Sequence, residues 1–185
     1  MRPMRQPDGS RALGLLLGLT CWLCAPAPAA AQSSLPAETA YVVTVQTDRT
    51  DSLHWEVLVS LDNPGPVAAL TLPLRWGQGR PDYRIDSANY FGLRTEYFAL
   101  KTFRVDSTAQ TVLIGLISDL GGNRPPLAPG SGGIARLFFT ARAGQLSDPL
   151  LPDTTFIRPH NTLQLVTPDV RAIHPRFVQI GLPIN

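Results

Sequence analysis

The stretch 111–143, TVLIGLISDLGGNRPPLAPGSGGIARLFFTARA, limits what this chain can fold into more than any other. It opens on Val112, Leu113, Ile114, Gly115, Leu116 and Ile117, a run short enough for a buried strand and made of residues that suit a pleated surface. Gly121, Gly122, Pro125, Pro126, Pro129, Gly130, Gly132 and Gly133 follow, and no helix crosses such a segment. A second strand is then expected, with Ala135, Leu137, Phe139 and Ala141 alternating with Arg136, Phe138, Thr140 and Arg142. Two strong strands joined by a long Gly/Pro loop, with similar strands on either side, predict a β-sandwich.

The flanking sequence repeats the pattern. In LHWEVLVSLD, Leu53, Trp55, Val57, Val59 and Leu61 share one face, and His54, Glu56, Leu58 and Ser60 the other. The turn residues Asn63-Pro64-Gly65-Pro66 end that run. In VAALTLPLRW, Leu70, Leu72, Leu74 and Trp76 face one way and Ala69, Thr71, Pro73 and Arg75 the other. Pro73 cannot donate to a ladder, which predicts an edge strand or a bulge. Further strands are expected at 41–47, 83–91, 93–105, 154–158, 162–167 and 177–184, with 168–175 irregular. The expected class is all-β, a two-sheet β-sandwich of about nine strands with no amphipathic helix of three turns.

The N-terminal part reads as an export signal. Arg2, Arg5 and Arg11 precede an apolar run from Ala12 to Leu23, and Ala29-Ala30-Ala31 offers small residues for cleavage before Gln32. That run is shorter than the roughly 20 residues of a membrane span. The expected organisation is a signal peptide at 1–31, a flexible lead-in at 32–40 and one domain at 41–185. A bacterial-type signal of this kind predicts a secreted, periplasmic or extracellular protein with no membrane span after cleavage. Both cysteines, Cys21 and Cys24, lie inside the signal, so the mature domain must hold together without a disulfide. The net charge of +2 also comes from the signal: three of the 16 basic residues and one of the 14 acidic ones fall within 1–31, which leaves 13 of each. A neutral mature chain without a Lys/Arg patch argues against nucleic acid.

Catalytic patterns are missing. Gly130-Ser131-Gly132-Gly133 lacks the spacing of a nucleophile elbow, and His54, His160 and His174 stand isolated. No His/Cys pairs at short spacing announce zinc, and the scattered aspartates do not make a calcium loop. The expectation is a non-catalytic protein with no cofactor and no metal. An alternative is a carbohydrate-binding module, since 83–103 is rich in aromatics, and a third reading is a small secreted hydrolase. Tyr90 and Tyr97 are the candidate sugar-stacking residues there.

Several segments occur in an order that resembles the cohesin family. LDNPGPVAALTLPLRW is similar to the cohesin pattern of a polar turn leading into a strand that closes on an aromatic residue. TVLIGLISD, the long loop, GSGGIARLFFTARAG and TTFI resemble the later strands. The pattern G-x-x-A-x-(L/I)-x-F corresponds to Gly132, Ala135, Leu137 and Phe139. The resemblance spans roughly 41–184. It implies a jelly-roll sandwich, shared with related carbohydrate-binding modules, and a protein-interaction or adhesion role with a dockerin-like partner; extracellular polysaccharide is the other possible partner. It also implies docking on an outer sheet face, where Thr71 and Arg75 on one strand and Arg136 and Phe138 on another become candidate partner-binding residues. Phe138 stands among arginines on the predicted outer face, a composition common at interface hot spots, unless a loop or the chain terminus covers it. Ala69 and Thr71 stand where the cohesin strand usually carries Asp or Asn.

Overall fold

A computed structural model describes residues 40–76, 83–142, 150 and 152–180. The expected signal peptide and nearly all of the lead-in lie outside the described residues. Among the described residues there is no α-helix, and eleven strands form: β1 (Val42–Arg49), β2 (His54–Asn63), β3 (Ala69–Arg75), β4 (Tyr83–Asn89), β5 (Leu100–Asp106), β6 (Thr111–Ile117), β7 (Gly130–Ala141), β8 (Asp153–Thr154), β9 (Gln164–Val166), β10 (Ala172–Ile173) and β11 (Arg176–Ile180). They make two sheets, one ordered β11-β1-β2-β7-β4 and the other β10-β9-β3-β6-β5 with β8 also on β3. All pairings are antiparallel except β1 with β11. The count exceeds the expected nine because β8 and β10 are two-residue strands.

Period-two burial builds the interior. Trp55, Val57, Val59 and Leu61 of β2 face Leu70, Leu72 and Leu74 of β3 and Val112, Ile114 and Leu116 of β6 across a dry core, none of them more than 7% exposed. Each such aliphatic side chain contributes about 1.5–3 kcal/mol on leaving water, which is how a domain without a disulfide holds. Both tryptophans are interior: Trp55 meets Tyr83 edge-on at 5.9 Å, and Trp76 meets Phe139 at 5.7 Å while its Nε1 donates to the Tyr83 carbonyl at 3.0 Å.

Three expectations need correction. Pro73 is not on an edge strand: β3 lies between β6 and the short strands β8 and β9. Its missing N–H falls where those two partners are interrupted, since β9 pairs with Ala69–Thr71 and β8 with Leu74 and Arg75. The Pro73 carbonyl on that side is met by Thr155 N–H at 3.2 Å. Residues 93–98 are not strand. Leu93, Glu96 and Phe98 each donate to the carbonyl three residues back, so this segment satisfies its backbone locally and turns, and a strand begins only at Leu100. Finally, β7 keeps the alternation expected from Ala135 to Arg142 but starts earlier, at Gly130. Ile134 and Ala135 are both buried because the β2–β7 register shifts between Val59 and Ser60, a bulge that turns two successive side chains inward. Gly130, Gly132 and Gly133, expected in the loop, pair with Asn63, Leu61 and Ser60 of β2, with Gly130 and Gly132 at φ of 145° and 146°.

Asp51 closes the turn between β1 and β2. Its Oδ1 accepts the N–H groups of Leu53 (2.8 Å) and His54 (2.9 Å), and its Oδ2 lies 2.7 Å from His54 Nδ1. The Leu53 N–H, then the His54 side chain and N–H, lower its pKa from 3.8 to about 2. A carboxylate with a depressed folded pKa stabilises fully above its unfolded pKa and loses that contribution as pH falls through the folded one. The turn is therefore expected to loosen between about pH 4 and about pH 2. Amide shifts of Leu53 and His54 should titrate together in that window and become flat in Asp51→Asn; flat amides in the unsubstituted protein would contradict the assignment.

Candidate functional site

The register places the outward side chains of the β3-containing sheet in cross-strand rows. Leu100, Ile117, Ala69, Val166 and Ala172 stand side by side, one from each of β5, β6, β3, β9 and β10. All five are apolar, and none is buried. The next row is Thr102, Gly115, Thr71 and Gln164, small or uncharged throughout. Charge enters at the far end, where Arg104, Leu113 and Pro73 form the third row and Asp106, Thr111, Arg75 and Asp153 the fourth. The inner neighbours Val112, Ile114 and Leu116 are fully buried, so β6 is apolar on both faces for two different reasons. One face fills the core; the other is offered outward.

Gly115 owes its identity to this face. A Cβ there would sit 2.6 Å from Thr102 Oγ1, so a larger residue would have to displace that hydroxyl, which accordingly donates to the Gly115 carbonyl at 3.3 Å. At the edge of the first row, the loop between β9 and β10 holds Val170 at φ 62° and 83% exposed. A β-branched residue in that region is strained, and Val170 N–H donating to the Thr167 carbonyl at 2.9 Å keeps it there.

The outer face of the other sheet differs in character. Arg136 pairs with Glu56 at 2.6 Å, Thr140 Oγ1 donates to Asp86 at 2.6 Å, and Phe138 lies half-buried in register with Glu56 on β2 and Ser87 on β4. The candidate residues thus divide: Thr71 and Arg75 are on β3, and Arg136 and Phe138 on β7, in different sheets of the sandwich. No single flat partner covers both pairs. Leu100, Ile117, Ala69 and Val166 were missed by the sequence reading. Their signal was the unbroken apolar run of β6, which a strand buried on one face does not need.

The two tyrosines proposed for sugar stacking are not equivalent. Tyr90 packs against the core, lies beneath Lys101 Nζ at 5.9 Å, and has its hydroxyl pushed up to about 12 by burial. Tyr97 is 39% exposed, with its hydroxyl donating to the Pro126 carbonyl at 3.2 Å and its ring edge-on to buried Phe98 at 5.2 Å. Exposed Phe91, not Tyr90, is the outward member of its pair. Among the described residues no three His, Cys, Asp or Glu side chains come together as a metal site, and no helix is long and apolar enough to cross a membrane.

No family model matches this chain, and no curated protein matches it. Solved structures do. The cohesin of a type I cohesin–dockerin complex involving OlpA from Clostridium thermocellum superposes with a TM-score of 0.59 at 9% identity, covering 77% of this chain and 100% of that one. A non-cellulosomal cohesin from the archaeon Archaeoglobus fulgidus gives 0.53 at 12% identity, over 76% and 87%. The solution structure of CaCohA2 from Clostridium acetobutylicum gives 0.55 at 12% identity, over 77% and 87%. The chain therefore has the cohesin-like jelly-roll fold, and at these identities the likeness is one of fold.

Proposed function

We propose that this domain is an exported, non-catalytic interaction module that takes a dockerin-like protein on the outer face of the β10-β9-β3-β6-β5 sheet. The observation that carries this reading is the apolar row Leu100, Ile117, Ala69, Val166 and Ala172, which crosses five strands and is backed by an uncharged second row. An apolar centre rimmed by Arg75 and Arg104 has the composition of an interface core with a polar margin. Its outward position favours a partner over a structural role, because none of the described residues buries it. Dockerins are the partners of the OlpA and OlpC cohesins from Clostridium thermocellum, which makes them the first molecules to try.

Placing a charge in the middle of the row tests this directly. Ile117→Arg is expected to weaken capture of a dockerin or extracellular protein by about 2 kcal/mol or more, read by calorimetry or biolayer interferometry. Phe138→Ala and Arg136→Ala, on the opposite sheet, should leave capture unchanged. If those two abolish binding and Ile117→Arg does not, the site belongs on the other face. Failure of the immobilised domain to retain any dockerin from a broad panel, or any extracellular protein of its host, would remove the interaction reading altogether.

A further inference from the structure

Six of the guanidinium groups among the described residues are engaged within the domain, Arg124 on the Tyr97 carbonyl among them. Arg84 pairs with Asp86 at 2.8 Å, Arg136 with Glu56 at 2.6 Å and Arg171 with Asp169 at 2.7 Å, while Arg49 and Arg94 donate to backbone carbonyls. Arg104 and Arg158, like Arg75, Arg142 and Arg176, have no side-chain hydrogen bond or ion pair among the described residues; what sets these two apart is that they share a groove. Both line one groove of about 520 Å³, between the β5–β6 end of the sheet and the 157–161 loop. That volume is within the range of roughly 300–1,000 Å³ typical of ligand sites.

The groove has further features that select a ligand. Leu113 and Ile157 give it apolar lining. Asn161 uses its backbone N–H and carbonyl on Ile157, both at 2.9 Å, which leaves its side-chain amide available. Asp106 is the one carboxylate among the described lining residues, and its Oδ1 is spent on the N–H groups of Thr108 (3.0 Å) and Ala109 (2.9 Å) in the adjoining turn. Two guanidiniums without an ion-pair partner, outnumbering the one carboxylate beside an apolar surface, match a carboxylate carried on an aliphatic stem. No aromatic ring is among the described lining residues, so the groove lacks the flat stacking surface a sugar would use.

We infer that the groove holding Arg104 and Arg158 is a second binding site, for an acidic, glutamate-containing peptide segment. It stands at the charged end of the sheet and shares Arg104 with the margin of the apolar row, but binding of an acidic peptide there does not require a partner on that row. The probe is a fluorescein-labelled deca-glutamate peptide, titrated with the purified protein and followed by anisotropy, with deca-glutamine as the neutral comparison. Deca-glutamate is expected to bind and deca-glutamine not to. Arg104→Gln/Arg158→Gln should weaken binding about tenfold or more, as should raising salt from about 50 mM to about 500 mM. Arg142→Gln/Arg176→Gln makes the same charge change elsewhere and should leave binding intact. No binding at low salt would overturn the proposal, as would equal weakening by the two double variants, which would reduce it to net charge. Binding of polygalacturonate without binding of the peptide would also overturn it. All four substitutions are at exposed positions, and unchanged thermal unfolding of each double variant shows that the comparison is between folded proteins.

Discussion

Phe139→Ala is expected to lower the unfolding free energy by about 3–5 kcal/mol. Phe139 is 1% exposed on β7, pairs in register with Trp55 and Ile85, and meets Trp76 edge-on at 5.7 Å. Its ring therefore contacts three strands' worth of core, and truncation leaves a cavity that the flanking strands cannot close without breaking their ladders. In a domain of this size the loss corresponds to a fall in melting temperature on the order of 10 °C. Phe138→Ala provides the internal comparison, because the adjacent phenylalanine points to the outer face and is only half-buried. Its cost should be about 1 kcal/mol or less. Urea midpoints at constant slope separate the two; similar losses for both would mean that β7 is not oriented as described.

The second large effect concerns Arg94. From the 90–98 segment its Nη1 donates to the carbonyls of Leu61 (2.9 Å) and Gly130 (3.0 Å), and its Nη2 to Ala128 (2.6 Å). One guanidinium thus ties the end of β2, the end of the long Gly/Pro loop and the first residue of β7 together. Beside it, Thr95 Oγ1 donates to the Ile134 carbonyl at the bulge. The approach is close: a Cβ on Gly132 would come within 3.1 Å of Arg94 Cδ, and Gly130 and Gly132 both have φ values that other residues rarely adopt. Burial lowers the Arg94 pKa from its ordinary value, with Tyr97 and Asp62 opposing, yet the group stays charged at any ordinary pH. Arg94→Ala removes three hydrogen bonds to carbonyls, of which only that of Ala128 keeps a side-chain donor, Asn63 Nδ2 at 3.0 Å, and is expected to cost about 2–4 kcal/mol. Arg94→Lys should recover less than half of that, because one ammonium cannot reproduce the spread of a planar fork. Denaturant melts and hydrogen exchange of the 128–134 amides measure both; full rescue by lysine would show that charge, and not geometry, is what matters.

How far the sequence could be read depended on the kind of evidence each part offered. Alternation placed Trp55, Leu72, Leu137 and Phe139 inside, because side-chain direction in a strand is a local property. Register and sheet membership are not local. Thr71 and Phe138 both alternate outward, and only the pairing of β3 with β6 and of β7 with β2 shows that they look away from different sheets. The bulge at Ile134 was likewise invisible, since it depends on which residue of β2 stands opposite. Residues 93–98 misled for another reason: Tyr97 and Phe98 suit a strand by composition, but here Phe98 fills the core from a turn. The apolar row was half legible. The run 112–117 told of two apolar faces, while its neighbours on β5, β9 and β10 come from sequence up to 72 residues apart.

The one parallel pairing has a mechanical meaning. β1 and β11 run in the same direction, Val42 beside Arg176 and Gln46 beside Ile180. Tension applied through the chain ahead of Val42 and beyond Ile180 therefore drags these strands past each other lengthwise. Their ladder then resists as a set of bonds strained together in shear, where an antiparallel arrangement at the same place would unzip from one end. Whatever is tethered through this domain would load that ladder in shear.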